Sequence, residues 1–293
     1  MNYTRRSFFG AAGAVAAGLA FNETAALSAQ ETPAAREPKF ELGVASYSFR
    51  NFNVDQLINW CKKAEIRKVT LKEMHLSLKS TDEECAAMAK KFKDAGLEIY
   101  SCGVVYMSKQ EDVDNAFRYA KALGCVSIVG VPEWSLLPYA EQKVKETGIL
   151  LAIHNHGPED KRYPTAQSVW ERVKDLDPGV GIALDTGHAI RAGEDPIKAI
   201  REYHDRIFDF HVKDMTEWKP SGHGVICGHG SMDLLGLMGG GFPCPVRCHA
   251  PGIHLFPAPG QRSVHGRLFL ALHLPGGGFR GDERSREGPP RTT

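Results

Sequence analysis

Seven short runs rich in β-branched and aromatic residues, at 41–46, 68–72, 98–105, 126–131, 149–154, 180–185 and 207–212, alternate with segments of a different period. The stretches between them, 54–64, 82–95, 110–123, 135–147, 166–176 and 195–204, space their apolar residues three and four apart, as one face of a helix requires. Strand followed by helix, repeated in this way, builds a parallel sheet, because parallel neighbours need a crossover long enough to bring the chain back. Gly96 and Gly124 stand just past two of the helical segments, where a left-handed residue ends a helix. The rhythm predicts an α/β fold, a (β/α)8 TIM barrel, with one more βα unit needed for closure.

That unit is not evident in the sequence. Residues 231–293 hold 12 Gly, 8 Pro and 7 Arg but no Lys, although Lys is frequent up to Lys219. Clusters such as Gly239-Gly240-Gly241 and Pro275-Gly276-Gly277-Gly278 interrupt the segment too often for a final strand and helix. The eighth unit is therefore expected to be missing or replaced, which would leave strands one and seven with unpaired edges and the chain poorly soluble. A break inside a barrel, rather than after a finished fold, suits a coding frame lost near codon 231; a genuine low-complexity tail is the alternative.

At the other end, Thr4-Arg5-Arg6-Ser7-Phe8-Phe9 precedes an uncharged Ala/Gly-rich run to Phe21 and small residues around Ala26-Leu27-Ser28-Ala29. The pattern resembles a twin-arginine export signal, and its apolar run is shorter than the roughly 20 residues of a bilayer-spanning helix. The expected organisation is a signal over 1–29, a linker over 30–40, a barrel over 41–230 and an atypical tail over 231–293. Periplasm or cell envelope is the expected location, without stable membrane insertion once the signal is removed. A formal net charge of +1 offers no cationic surplus for phosphate backbones, so nucleic acid is not an expected partner. Seven cysteines with no C-x-x-C spacing indicate core thiols rather than a disulfide framework or zinc ribbon.

In a parallel barrel, chemistry gathers at the C-terminal ends of the strands. Strand five ends Ile153-His154-Asn155-His156-Gly157, and residues two apart share a face, so His154 and His156 both reach the barrel mouth while Asn155 points away. Strand six ends Leu184-Asp185-Thr186-Gly187-His188, a carboxylate at the strand end and an imidazole on the turn, with Gly187 permitting the bend. Strand seven ends Phe210-His211-Val212-Lys213-Asp214, adding a third imidazole and an ammonium on the same face. Two imidazoles and a carboxylate suit Mn2+, Co2+ or Zn2+, whereas Mg2+ prefers more oxygen ligands. Lys72 and His75 follow strand two and are candidates for the pocket floor. His223, Cys227 and His229 lie among Gly222, Gly224, Gly228 and Gly230 without regular ligand spacing, which marks a mobile loop rather than a site.

These residues resemble the xylose-isomerase-like TIM-barrel superfamily, which includes sugar phosphate isomerases and epimerases, ketose 3-epimerases, inosose dehydratases and endonuclease IV. The likeness is carried by Leu184-Asp185-Thr186-Gly187-His188 and Phe210-His211-Val212-Lys213-Asp214, with support from the segments at 42–49 and 228–233. It implies one divalent ion (Mn2+, Co2+, Zn2+ or Mg2+) held by a middle-strand Glu, an Asp, a His and a strand-eight Glu. Asp185 and His211 match; His154 stands where the first Glu would be, and the strand-eight Glu is absent. The resemblance places His188 on the substrate.

The resulting expectation is a metal-dependent isomerase or epimerase of a sugar, sugar phosphate or keto-sugar, acting by proton abstraction through a metal-stabilised enediolate. His154, Asp185 and His211 are the expected ligands, His156 and His188 the catalytic candidates, and His75 and Lys213 the substrate contacts. A dehydratase or lyase acting on inositol or keto-glycosides, and a catalytically dead sugar-binding barrel, are the alternatives. The partner is a small sugar in each case, and the sequence leaves the oligomeric state open. Endonuclease activity is disfavoured, because neither the extra ligands of a three-metal site nor a basic face is visible.

Overall fold

A computed structural model describes residues 41–240 and 269–272, which belong to one compact unit, Pro38–Thr293. The expected signal and linker, and most of the expected tail, lie outside the described residues.

Seven parallel strands stand side by side in chain order: β1 (Glu41–Ala45), β2 (Lys68–Leu71), β3 (Glu98–Met107), β4 (Ser127–Pro132), β5 (Leu150–His154), β6 (Val180–Asp185) and β7 (Ile207–Val212). A short eighth strand, Phe269–Leu272, lies parallel between β7 and β1 and closes the barrel. It pairs Phe269 with Glu41 on one side and with Asp209 on the other. The strand positions expected from the sequence agree to within two residues. The expectation that the eighth unit is missing is corrected for its strand: four consecutive residues, Phe269–Leu272, pair in parallel where ladders are offered on both sides, and the rest of the unit lies outside the described residues. The edges of β1 and β7 are therefore paired.

Seven of the helices pack outside the strands: α1 (Val54–Lys63), α2 (Asp82–Asp94), α3 (Gln110–Leu123), α4 (Leu137–Thr147), α5 (Ala166–Val173), α6 (Thr186–Arg191) and α7 (Pro196–Tyr203); α8 (Leu234–Gly240) follows the loop after β7. Their ends are written locally. Asn53 with Gln56, and Thr81 with Glu84, form reciprocal caps on α1 and α2, so that orphan amides at each helix start are satisfied. Gly124 and Gly148 end α3 and α4 at φ of 73° and 70°, left-handed values that cost an L-side chain more than glycine. The main core lies between strands and helices, where Leu57, Phe92 and Phe117 meet Val69, Ile99 and Ile128. A smaller cluster of Val129, Leu150, Ala152, Ala183 and Phe208 includes positions on the same strand faces as His154 and Asp185, so these apolar side chains form a floor beneath the mouth. Among the described residues no helix is long and apolar enough to cross a membrane.

One carboxyl lies inside this barrel. Asp209 is fully buried, and Tyr100 donates to its Oδ2 at 3.3 Å while Thr70 donates to the Tyr100 hydroxyl at 2.8 Å. Burial raises the Asp209 pKa well above its usual range, outweighing the hydrogen bonds that lower it. A carboxyl raised on folding contributes stability that is complete below its unfolded pKa and is lost as pH climbs through the folded value. Asp209→Asn, which mimics the protonated form, should therefore melt higher than the parent at pH 8, with the gap closing toward pH 4. Thermal melts of the two metal-free proteins across that range test it, and a gap independent of pH would refute the assignment.

Candidate metal centre at the barrel mouth

Neighbouring strand ends bring three ligand atoms together. Strand register sets Asp185 opposite His211, while His154 ends the adjoining β5. His154 Nε2 lies 2.9 Å from His211 Nδ1 and 3.4 Å from Asp185 Oδ2, and His211 Nδ1 lies 3.7 Å from that oxygen. Bonds of about 2.0–2.2 Å to a common ion, at tetrahedral or octahedral angles, require ligand atoms roughly 3–3.5 Å apart. The observed triangle fits a divalent ion, and among the described residues it is the one group of three or more His, Cys, Asp or Glu side chains close enough to hold a metal. His223, Cys227 and His229 form no such group.

All three side chains are buried, which sets their protonation. Burial drives His154 well below its normal pKa and lowers His211, in both cases against the pull of Asp185. Burial alone would raise Asp185, but the ammonium of Lys213, the charge of His188 and hydrogen bonds from both ligand imidazoles overcome it, leaving the carboxyl well below the usual range. Neutral imidazoles beside an ionised carboxylate are the forms that bind a metal.

The surroundings hold this set in place. Lys213 Nζ lies 2.7 Å from Asp185 Oδ2, so the residue expected to contact substrate is ion-paired to the carboxylate. Asn155 points away from the mouth, as strand alternation requires, and clasps the main chain of Asp185: its Oδ1 accepts from the Asp185 amide at 2.7 Å and its Nδ2 donates to the Asp185 carbonyl at 3.1 Å. Asp185 Oδ1 in turn accepts the His188 amide at 3.0 Å and caps α6. That helix begins at once after β6, so His188 stands in a helical first turn rather than on a bend. Gly187 is needed for close approach instead: a Cβ there would meet Lys213 Cβ at 2.8 Å.

Two more imidazoles complete the rim. The His156 ring lies 4.4 Å from that of His154 and 5.6 Å from that of His188. Burial, reinforced by the charge of His188, lowers His156 to about 4, and burial likewise lowers His188. Tyr106, exposed at the end of β3, stacks on His156 and places its hydroxyl 3.1 Å from His156 Nε2; Asp160 Oδ2 lies 3.7 Å from Nδ1. With a neutral ring, Tyr106 donates to Nε2 and the Nδ1–H faces Asp160. Tyr106 was missed in the sequence, where its one available clue was a position at a strand's C-terminal end.

His75 has both ring nitrogens engaged, Nδ1 with Ser46 Oγ and Nε2 with the Phe52 carbonyl, each at 3.1 Å. The loop after β7, expected to be mobile, is built around buried Asp214. Its Oδ2 accepts from the amides of Gly228 (2.9 Å) and Gly230 (2.8 Å), and its Oδ1 from those of Met215 (2.9 Å) and Met232 (3.0 Å).

Several solved structures share this architecture. An IOLI protein with a binding zinc atom superposes at TM-score 0.61 with 16% identity, over 80% of this chain and 88% of that one. A 3-keto-D-glucoside 4-epimerase, YcjR, from E. coli gives 0.58 with 13% identity, over 80% and 93%. A sugar phosphate isomerase/epimerase from Parabacteroides distasonis gives 0.56 with 18% identity, over 88% and 92%. At such identities the likeness is one of fold. No curated protein matches the chain. Residues 58–239, well over half of the sequence, match the xylose isomerase-like TIM barrel family, and the chain belongs to that family.

Proposed function

We propose that this protein is a divalent-metal-dependent isomerase or epimerase acting on a small sugar or keto-sugar. The observation that carries the reading is the triangle of His154, Asp185 and His211 ligand atoms at the strand ends, with His156 and His188 beside it. An ion held there supplies Lewis-acid polarisation of a substrate carbonyl or hydroxyl. The Tyr106 hydroxyl, which donates to Nε2 of neutral His156, takes the proton from the carbon beside that carbonyl as it passes its own to Nε2, with Asp160 facing the imidazolium that forms. His188 hydrogen-bonds a substrate oxygen. Return of the proton to the neighbouring carbon, with the hydroxyl proton passing to the former carbonyl oxygen, isomerises the sugar, and delivery of a proton by a second donor on the opposite face of the same carbon epimerises it.

A second reading, β-elimination by a dehydratase or lyase, is favoured by the grouping of the imidazoles: the rings of His154, His156 and His188 lie within 5.8 Å of one another, and one proton acceptor suffices when a leaving group departs. We further propose that residues 1–29 direct twin-arginine export to the cell envelope.

The purified full chain should bind about one equivalent of Zn2+, Mn2+ or Co2+ and turn over members of a keto-sugar panel in deuterated water. Isomerisation or epimerisation yields a deuterated isomer, whereas elimination releases an alcohol or water and an absorbing enone. Absence of both metal binding and turnover would favour a sugar-binding barrel over an enzyme.

A further inference from the structure

Several charges around the mouth are matched in pairs among the described residues. Asp185 faces Lys213, Asp160 lies 3.8 Å from Arg162, and Glu159 is bridged by Arg191. Lys72, immediately after β2 and therefore at the same end of the barrel, joins no ion pair among the described residues.

Its position is fixed from beneath. The Lys72 amide donates to the Oγ of buried Ser46 at 2.9 Å, and Ser46 is tied through His75 to the Phe52 carbonyl. The ammonium lies 5.7 Å from the centre of the Tyr47 ring, an aromatic face that steadies a cation without cancelling its charge. Its field reaches Lys213, just past the end of β7, so the charge is felt at the mouth. Burial, and to a lesser degree the charge of Lys213, lowers Lys72 to about 8 against the opposing pull of Glu73, which leaves it mainly protonated at pH 7. The adjacent carboxylate, Glu73, is exposed and forms no ion pair with it. A partly buried cation whose neighbouring carboxylate, Glu73, is exposed and not ion-paired to it is costly unless an anion arrives to meet it.

We propose that Lys72 is the anion-recognition residue of the substrate site, and that the preferred substrate carries a standing carboxylate or phosphate group whose oxygens meet this ammonium. The inference rests on the barrel mouth being the substrate site. Recognition by a single ammonium is that of a point charge, so both oxyanions are accommodated, and a neutral sugar leaves the charge unmet.

The test uses the metal-loaded full chain and three probes, inorganic phosphate, glycerate and glycerol, with binding followed by calorimetry. Phosphate, glycerate or both should bind at least tenfold more tightly than glycerol, and whichever binds identifies the favoured oxyanion. Lys72→Met should remove that preference, Lys72→Arg should keep most of it, and the exposed-site control Lys79→Met should leave it unchanged. Unchanged melting and metal content in Lys72→Met separate lost recognition from lost fold. Equal binding of all three probes by the parent, or anion binding that survives in Lys72→Met, overturns the proposal. Metal binding and keto-sugar turnover in the parent are read separately: their retention beside a failed anion preference leaves the proposed reaction standing, and their absence removes the proposed reaction itself.

Discussion

Asp185→Asn will lower divalent-metal affinity by more than a hundredfold and abolish turnover. Loss of partners that merely orient a ligand costs about 10–100-fold, and Asp185 provides the single carboxylate of the triangle. The substitution also leaves the Lys213 ammonium, 2.7 Å from the carboxylate in the parent, without its counter-charge. Metal content by mass spectrometry and a chelator-competition titration measure the affinity directly. Asn155→Ala isolates orientation from ligation: it removes both hydrogen bonds to the Asp185 main chain while keeping every ligand, and a fall of about 10–100-fold is anticipated. An Asp185→Asn protein that retains parental zinc affinity would remove this triangle from consideration as the metal centre.

Asp214→Ala will destabilise the protein by on the order of 2–5 kcal/mol, because the buried amides of Met215 and Met232 lose their acceptor and each unmet buried donor costs about 1–3 kcal/mol. The amides of Gly228 and Gly230 belong to exposed residues and can recover water, so they add less. For a chain of this size each kcal/mol lowers Tm by about 2–4 °C. Hydrogen exchange should accelerate at Gly228, Gly230 and Met232 while protection in β5 and β6 is retained. Equal exchange at those amides in parent and variant would show that Asp214 does not organise the loop.

The contrast between these two aspartates shows what the sequence revealed and what it withheld. Asp185 was visible because a strand end has a fixed place in a parallel barrel, and period-two alternation fixed which of His154, Asn155 and His156 face the mouth. The same alternation set Asn155 aside as outward-facing, and said nothing of its reach to the neighbouring strand's main chain. Asp214 acts across 14 to 18 residues on backbone amides, an interaction that leaves no periodic trace. Gly187 suggested a bend by composition, although its purpose is to let Lys213 pass close by. The eighth strand was obscured for a related reason: glycine and proline density describes a segment's average, whereas a parallel strand needs only a brief apolar run with a partner on each side.

The Asp214 arrangement has one more effect. The carboxylate holds main-chain groups, and Gly230 is the position where it tolerates no side chain, since a Cβ there would lie 2.2 Å from Asp214 Oδ1. Ile226 and His229 stand exposed on the loop, whereas Trp218 is tied to it through Nε1, which donates to the Ser231 carbonyl at 3.2 Å. The identities of Ile226 and His229 can drift without refolding the segment beneath them, so sequence change on this loop is decoupled from the placement of His154, Asp185 and His211.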